Sequence, residues 1–296
     1  MPKLHDGEVD VDADLVAKLL DTQFPQWSGR PIRPVTSSGT VNVLFRLGDD
    51  LVVRLPRIGW GSDDARAEHR LLPRLAPHLP VATPEPVAIG EPAAGYPWDW
   101  SVYRWLDGEP PAPGSGPSVL VDDLAGFLLA LQAIEPANGP AASRGGPLRR
   151  KDAATRQAIA QLAGWIDTDA AIAAWDAALA APEHDGPPVW MHNDLLAGNL
   201  LLVGGRLHAV IDWSAAGVGD PACDYIVAWD VLAAADRDRF RAATGVDEST
   251  WARARGWALL IALIQLPYYR HTNPALVAHA VHMVDEVLAD HAAGVA

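Results

Sequence analysis

Apolar residues recur at helical spacing near the N-terminus and through most of the second half of the chain. The first run places Val16, Leu19 and Leu20 on one face of a helix, and Asp12 is a suitable N-terminal cap. Comparable runs predict further helices at residues 118–131, 149–180, 225–235, 251–269 and 274–291. The second half of the chain is therefore predicted to be mostly helical.

Between residues 35 and 55 the periodicity changes to that of β-strands. Two runs, 35–47 and 51–55, flank a Gly-Asp-Asp turn and predict a hairpin. An aromatic-rich run at 96–105 predicts a further strand, and the prolines and glycines at 110–117 mark a linker. The first third of the chain is therefore predicted to be rich in strands.

The stretch from residue 189 to residue 224 contains the most informative pattern. Four apolar residues, Leu200 to Val203, lead into Gly204-Gly205, and a second apolar run follows at 207–211. Two glycines between apolar runs are typical of a tight β-hairpin. Residues just before the first strand and just after the second are therefore predicted to lie close together.

Three oxygen-bearing side chains occupy those two positions. Asp194 and Asn199 precede the first strand, and Asp212 follows the second. Taken singly, each is typical of a turn or a helix cap. Together they match what phosphoryl transfer requires, which is oxygen ligands for Mg²⁺ and a separate carboxylate that accepts the proton of a hydroxyl group. Protein kinases space the corresponding Asp and Asn in the same way.

These residues give the chain a family resemblance. It resembles the aminoglycoside phosphotransferase family, the small-molecule branch of the protein-kinase-like fold, whose members carry H-G-D-x-x-x-x-N and later I-D and G-D-P-x-x-D. The matching residues here are His192, Asp194, Asn199, Ile211, Asp212, Trp213, Gly219, Asp220, Pro221 and Asp224. Asn193 stands where glycine is commonest in the family, and the same H-N-D sequence is found in the related choline kinases.

The resemblance implies an α+β fold with two lobes. A small, β-rich, nucleotide-binding lobe is expected at residues 1–104, and a larger, mostly helical lobe with the catalytic loop and acceptor site at 105–296. The activity implied is phosphoryl transfer from ATP or GTP, with Mg²⁺, to an alcohol group of a small molecule.

The resemblance also implies roles for individual residues. Asp194 would orient the acceptor hydroxyl and take its proton, and His192 would brace the loop. Asn199 and Asp212 would hold Mg²⁺. The candidate nucleotide-binding residues are Ser38, Gly39, Thr40, Arg54, Glu68, Ser101, Val102, Tyr103 and Arg104. Among them, Arg54 stands where kinases place a phosphate-binding lysine, Glu68 would pair with it, and the backbone of 101–104 is expected to read the purine.

The acceptor is left more open. The candidate acceptor-binding residues are Asp224, Asp230, Trp229, Trp257 and Tyr268. Carboxylates suit the ammonium groups of an aminoglycoside, whereas aromatic walls suit a macrolide or a nucleoside antibiotic, so an antibiotic kinase that confers resistance is predicted without choosing among them. Asp220 and Asp224 are assigned structural roles first. The loop at 136–147 is interpreted either as an edge of the substrate site or as a plain surface loop.

Two alternatives remain. The H-N-D sequence is compatible with a choline- or sugar-like metabolite kinase, and a nucleotide-binding pseudokinase module would share the fold. Intact Asp194, Asn199 and Asp212 argue against the pseudokinase, because such modules tolerate the loss of these residues. Protein-kinase activity is disfavoured because no A-P-E segment follows Asp212.

Composition and charge narrow the class of protein. The net charge of −14 disfavours binding to nucleic acid through a basic face. No apolar run approaches the roughly 20 residues that a membrane span needs, and the first residues lack a signal-peptide pattern. Cys223 is the only cysteine, which excludes an internal disulfide. A cytoplasmic protein, monomeric or dimeric, is expected.

Overall fold

The structure is a computed structural model that describes residues 7–37, 39–62 and 64–295. The chain divides into two compact units. The first unit contains Met1–Pro77, Ala82–Asp107 and Ile211–Ser214, and the second contains His78–Val81, Gly108–Val210 and Ala215–Ala296. The chain therefore leaves the second unit after Val210, contributes four residues to the first, and returns. The lobe boundary between residues 104 and 105 stays a prediction.

The described part of the first unit combines helices with an antiparallel sheet. The elements are α1 (Ala13–Gln23), α2 (Asp64–Leu75), β1 (Ile32–Val35), β2 (Asn42–Leu47), β3 (Leu51–Pro56), β4 (Pro86–Gly90) and β5 (Trp100–Arg104). The strand order is β1-β2-β3-β5-β4, so β5 has a neighbour on each side. The predicted hairpin is β2–β3, and Gly48 in its turn has a φ of 61°, which costs glycine little.

The core of the first unit lies between α1 and the sheet. Val16, Leu19 and Leu20 form the predicted apolar face of α1, and all three are buried with strand residues such as Phe45. The predicted cap is present, because Asp12 Oδ1 accepts a hydrogen bond from the N–H of Leu15 at 2.8 Å. A cap of this kind contributes about 1 kcal/mol to helix stability. The core fixes the strands that carry the charged residues described below.

The described part of the second unit is mostly helical, as predicted. Its helices are α3 (Leu120–Gln132), α4 (Asp152–Gln161), α5 (Thr168–Ala180), α6 (Val227–Asp230), α7 (Arg237–Thr244), α8 (Glu248–Tyr269) and α9 (Pro274–Val295), and its strands are β6 (Val189–Met191), β7 (Leu200–Val203), β8 (Arg206–Val210) and β9 (Gly217–Gly219). Strands β7 and β8 form the predicted hairpin, and β6 pairs antiparallel with β9. Both glycines of the hairpin turn, Gly204 and Gly205, have positive φ. No helix in the described ranges is long and apolar enough to cross a membrane.

Two helix predictions were wrong in extent. The stretch 149–180 is two helices, because the chain turns between them at Gly164, which has a φ of 82°. Trp175 is buried, whereas Trp165 in the turn is 44% exposed. The helix predicted at 225–235 is replaced by a 3₁₀ turn, Pro221–Ile226, and the single turn of α6.

Candidate active site

The loop between β6 and β7 is held by buried carboxylates. Asp224 has no exposed surface, and its oxygens accept hydrogen bonds from the backbone N–H groups of His192 at 2.7 Å and Asn193 at 2.6 Å. Asp230 is equally buried and accepts a hydrogen bond from the N–H of Ala197 at 2.5 Å. Burial raises the pKa of Asp224 to about 6, against the opposing effect of His192 and the two N–H donors. Backbone donors along the loop are thus fixed by side chains beneath it.

Asn193 gives the loop its shape. Its φ of 71° lies in the left-handed region, which glycine and asparagine adopt most readily. Its Nδ2 donates to Ser143 Oγ at 2.9 Å and to the carbonyl of Ala215 at 3.1 Å. His192, which is fully buried, accepts a hydrogen bond at Nδ1 from the N–H of Asp194 at 3.3 Å. The backbone conformation that brings Asp194 to the surface of the loop is therefore fixed by the hydrogen bonds of the Asn193 side chain and of the His192 ring.

Asp194 and Asn199 lie together at the exposed side of this loop. The Asn199 side chain donates from Nδ2 to the Asp194 carbonyl at 2.8 Å and to Asp194 Oδ2 at 3.2 Å. Asp194 Oδ1 accepts a hydrogen bond from Arg144 Nη1 at 2.5 Å, and the Asp194 side chain is 29% exposed. Because the amide nitrogen of Asn199 is directed at Asp194, its amide oxygen is left to accept from another group.

Arg144 belongs to a segment that packs against strand β9. Val218 of β9 donates to the carbonyl of Pro140 at 2.7 Å and accepts from the N–H of Ala142 at 3.0 Å. The same Arg144 Nη1 that contacts Asp194 also donates to the carbonyl of Asn193 at 2.8 Å. Burial lowers the pKa of Arg144, but Asp194 more than offsets this and the pKa lies above its usual value.

The charged centre of the first unit is built around Arg54 on β3. Arg54 Nη1 donates to Glu68 Oε2 and Nη2 donates to Asp212 Oδ1, both at 2.7 Å. Glu68 on α2 is fully buried, and it also accepts hydrogen bonds from the Tyr103 hydroxyl and, at 2.8 Å, from the N–H of Trp213. Burial would lower the pKa of Arg54, but Glu68 and Asp212 raise it well above its usual value. The guanidinium is therefore a fixed, permanent cation.

Asp212 is the partly exposed member of that centre. Its φ is 64°, and its side chain is 39% exposed. Oδ1 accepts from Arg54 and, at 3.3 Å, from Ser214 Oγ. A non-glycine residue in the left-handed region carries backbone strain. The hydrogen bonds of the Asp212 side chain and of the Trp213 N–H stabilise this conformation.

A family model covers the residues around Arg54 and the residues around Asp194. The model described as the phosphotransferase enzyme family matches residues 32–257, well over half of the chain. The chain belongs to the phosphotransferase enzyme family. A comparison with curated proteins finds no match to the sequence.

Solved structures of other phosphotransferases share the kinase-like fold of this family member. The GDP and kanamycin complex of APH(2")-IIia is 21% identical with a TM-score of 0.74, over 93% of this chain and 98% of that chain. The macrolide 2'-phosphotransferase MphH from Brachybacterium faecium, solved as the apoenzyme, is 23% identical with a TM-score of 0.62, over 93% and 97%. A ternary complex of streptomycin, ATP and APH(2")-IIa is 16% identical with a TM-score of 0.60, over 94% and 97%.

The residues predicted to hold Mg²⁺ have the chemistry for it. Mg²⁺ takes one or two protein oxygens and completes its shell with phosphates and water. The amide of Asn199 is turned so that its oxygen can accept, and Asp212 supplies a partly exposed carboxylate. A cluster of three or more His, Cys, Asp or Glu residues around one metal position is absent from the described residues, and this mode of binding does not need one. That Asp212 joins Asn199 and Asp194 stays a prediction, since Asp212 belongs to the other unit.

The predicted nucleotide-binding residues have mixed outcomes in this phosphotransferase. Arg54 does pair with Glu68, as described above. Ser38 lies outside the described residues, and neighbouring Gly39 donates its N–H to Ser37 Oγ at 3.0 Å. A phosphate-binding role for Gly39 and Thr40 stays a prediction.

The purine-reading window at 101–104 is corrected. Ser101, Val102 and Tyr103 form most of β5, and their backbone pairs with β3 on one side and β4 on the other. The N–H of Arg104 donates to the carbonyl of Glu85 at 3.0 Å. Backbone groups already paired within a sheet are not available to a nucleobase, so the strand pairing does not support a purine-binding role for the backbone of this window.

Most of the predicted acceptor-binding residues are corrected as well. Asp224, Asp230, Trp229 and Trp257 are at most 2% exposed, so their side chains cannot contact an acceptor in this structure. Asp224 and Asp230 instead accept hydrogen bonds from the backbone of the loop between β6 and β7, which fits the structural role first assigned to Asp224. Asp220 is also structural: it pairs with Arg253 at 2.8 Å inside the second unit. Tyr268 is 55% exposed, and its contact with an acceptor stays a prediction.

Two charged residues near these centres are not among the predicted site residues. Arg144 lies in the Gly- and Pro-rich loop at 136–147, where no periodicity indicates a contact with Asp194. Asp64 lies beside the Arg54 centre, and burial raises its pKa to about 6 although Arg54 opposes the shift. The contact of Arg144 with Asp194 and the position of Asp64 beside Arg54 are revealed only by the packing of separate segments of the chain. For Arg144, the one signal in the sequence was a charged residue within an otherwise Gly- and Pro-rich loop.

Proposed function

We propose that this family member transfers the γ-phosphoryl group of a nucleoside triphosphate to a hydroxyl group of a small molecule, and that the acceptor is an antibiotic, so that the reaction confers resistance. The observation that carries the proposal is the Asp194–Asn199 arrangement, a partly exposed carboxylate beside an amide that offers its oxygen. Membership of the phosphotransferase family supports it. Solved relatives bound to GDP, ADP or ATP support a nucleoside triphosphate donor, without choosing between ATP and GTP.

In this proposal Asp194 acts on the acceptor. Its carboxylate accepts a hydrogen bond from the acceptor hydroxyl and orients the oxygen toward the γ-phosphorus. It takes the proton as the new P–O bond forms, while the bond between the γ-phosphorus and the leaving nucleoside diphosphate breaks. Oδ2 is the oxygen for this task, since Oδ1 is occupied by Arg144 at 2.5 Å and the Asn199 contact with Oδ2 is longer, at 3.2 Å. Positioning of this kind supplies much of the catalysis in phosphoryl transfer, because the transition state is loose.

The remaining residues act on the donor. Asn199 and Asp212 would hold Mg²⁺, which when bound neutralises charge on the phosphate oxygens. Arg54, held by Glu68 and Asp212, would place its guanidinium against the phosphates in place of the usual lysine. An arginine suits this role because its planar donors match phosphate oxygens.

The acceptor class rests on the relatives. Aminoglycoside and macrolide phosphotransferases share the fold over nearly their whole lengths. The H-N-D sequence does not favour a choline-like acceptor, because the φ of 71° at Asn193 explains why asparagine can replace glycine there. Asparagine at position 193 therefore has a conformational explanation that does not depend on the acceptor.

A panel assay tests the proposal. Purified protein is offered aminoglycosides, macrolides, nucleoside antibiotics and choline, each with Mg²⁺ and either ATP or GTP, and phosphorylated product is measured by mass spectrometry. We expect one antibiotic class to be phosphorylated, and Asp194→Asn to lower kcat by about 10²- to 10⁴-fold. The control is Asp185→Asn, an exposed aspartate of the second unit. Stabilisation by Mg-nucleotide without transfer to any acceptor would instead identify a pseudokinase, and phosphorylation of choline alone would identify a metabolite kinase.

A further inference from the structure

Arg144 contacts the carboxylate that the proposed function makes the proton acceptor. Arg144 Nη1 donates to Asp194 Oδ1 at 2.5 Å and to the carbonyl of Asn193 at 2.8 Å. We propose that Arg144 is a positioning residue for phosphoryl transfer, which sets the orientation of the Asp194 carboxylate and leaves Oδ2 to the acceptor hydroxyl. This inference rests on the proposed function and extends it to a residue outside the catalytic loop.

The segment around Arg144 is fixed against β9 by close backbone contacts. A Cβ atom added to Gly217 would lie 2.7 Å from the N–H nitrogen of Ala142, and one added to Gly219 would lie 2.7 Å from Cα of Gly145. The N–H of Asp220 donates to the carbonyl of Gly145 at 3.0 Å. Glycines at these two positions of β9 therefore allow the segment to approach more closely than any other residue would permit. Arg144 is presented from rigid backbone rather than from a free loop.

Two consecutive residues of the segment bind two consecutive residues of the catalytic loop. Ser143 Oγ accepts from the Asn193 side chain at 2.9 Å, and Arg144 donates to the Asn193 carbonyl and to the Asp194 carboxylate. The Asn193 peptide is thereby held at its positive φ from both its side chain and its carbonyl. Since that peptide precedes Asp194 directly, the direction of the Asp194 side chain depends on it.

An ordinary surface ion pair does not account for this arrangement. Exposed pairs between long side chains contribute little to stability and adopt several geometries. Here the guanidinium nitrogen has two acceptors, one of them a backbone carbonyl, and both charged side chains are 29% exposed. The arrangement restricts Asp194 to one rotamer, which is what a proton acceptor aligned with a hydroxyl requires.

The test compares Arg144→Met, Arg144→Lys and a matched control, Arg150→Met, at an exposed arginine of the same chain segment. Arg144→Met is expected to lower kcat about 10- to 100-fold, the loss typical of a misplaced catalytic group. The KM values for nucleotide and acceptor should stay within about twofold of the wild-type values. Arg144→Lys should restore part of kcat, because an ammonium group can still reach one acceptor. A wild-type kcat in Arg144→Met, or a change confined to the acceptor KM, would overturn the proposal.

A double-mutant comparison separates positioning from a general effect on folding. If Arg144 acts through Asp194, Arg144→Met should cause no further loss of kcat in an Asp194→Asn background. An equal, independent loss in that background would contradict the proposal.

Hydrogen exchange tests the positioning role of Arg144 without requiring that the protein phosphorylate an acceptor. Should the wild-type protein phosphorylate no acceptor of the panel, the proposed function fails, and Arg144 is judged by exchange of the backbone amides at 192–199. Faster exchange in Arg144→Met than in Arg150→Met is expected. Unchanged exchange would overturn the positioning role.

Discussion

Each unit of the chain holds a partly exposed aspartate against an arginine, and the two arginines are held in different ways. In the first unit Arg54 lies between Asp212 and Glu68, and Glu68 has no exposed surface. In the second unit Arg144 contacts Asp194 and a backbone carbonyl, and no buried carboxylate is among its partners in the described chain. The first arrangement is a buried ion network, whereas the second is a partly exposed ion pair with one additional backbone acceptor.

The different partners of Arg54 and Arg144 lead us to expect different effects when each arginine is replaced. A buried network is costly to disturb, because removal of one member leaves another charge without compensation. A partly exposed pair contributes less to folding than a buried network, but together with a backbone acceptor it can fix the direction of a side chain. We therefore expect changes at the Arg54 centre to alter stability and nucleotide binding, and changes at Arg144 to alter turnover.

The largest contrast is expected in stability. Glu68→Ala should lower the free energy of unfolding of the first unit by about 3–5 kcal/mol, because it removes the buried carboxylate that pairs with Arg54 and accepts a hydrogen bond from the N–H of Trp213. Arg144→Met should lower the stability of the second unit by at most about 1 kcal/mol. Urea denaturation followed by tryptophan fluorescence measures both. Equal losses in the two variants would contradict the distinction between the centres.

The next contrast concerns nucleotide binding. Arg54→Lys keeps the charge but loses the planar donors that reach Glu68 and Asp212 together. The KM for the nucleotide should rise about tenfold, equivalent to about 1.4 kcal/mol. Arg144→Lys serves as the counterpart and should leave that KM unchanged. A nucleotide KM that responds to Arg144 and not to Arg54 would reverse the roles assigned here.

The smallest effect is a pH dependence within the second unit. Burial lowers the pKa of His279, but its contact with Asp230 more than offsets this and the pKa is raised. A raised pKa means that the protonated histidine stabilises the folded state fully below its unfolded pKa, and that this contribution is lost as pH rises through the folded pKa. Thermal stability should therefore fall from pH 6 to pH 8 more steeply in the wild-type protein than in His279→Gln. Parallel curves would show that the pair contributes nothing.

Local pattern predicted several of the elements that the structure contains. The apolar face of α1, the hairpin β2–β3 and the glycine turn of β7–β8 each depend on residues close in sequence, so periodicity and turn chemistry were sufficient. The break at Gly164 was missed because the alanine-rich stretch around it has little periodicity to interrupt.

Side-chain environments were harder to predict than elements. Asp224 and Asp230 are among the candidate acceptor-binding residues because the sequence around a carboxylate does not reveal whether the side chain is buried. Their partners are backbone N–H groups more than 30 residues away. Arg144 was missed for the same reason, since its contact with Asp194 spans 50 residues. The pairing of Arg54 with Glu68 was anticipated only because the family resemblance implied it.

The most direct test of the account is a Mg²⁺ titration of turnover in Asp194→Asn beside the wild-type enzyme. Asp194 is assigned to the acceptor and Asp212 to the metal, so Asp194→Asn should lower the plateau of kcat by about 10²- to 10⁴-fold. The Mg²⁺ concentration for half-maximal activity should stay within about twofold of the wild-type value, while Asp212→Asn should raise it. A wild-type plateau with a shifted Mg²⁺ requirement in Asp194→Asn would contradict the assignment of Asp194 as the proton acceptor.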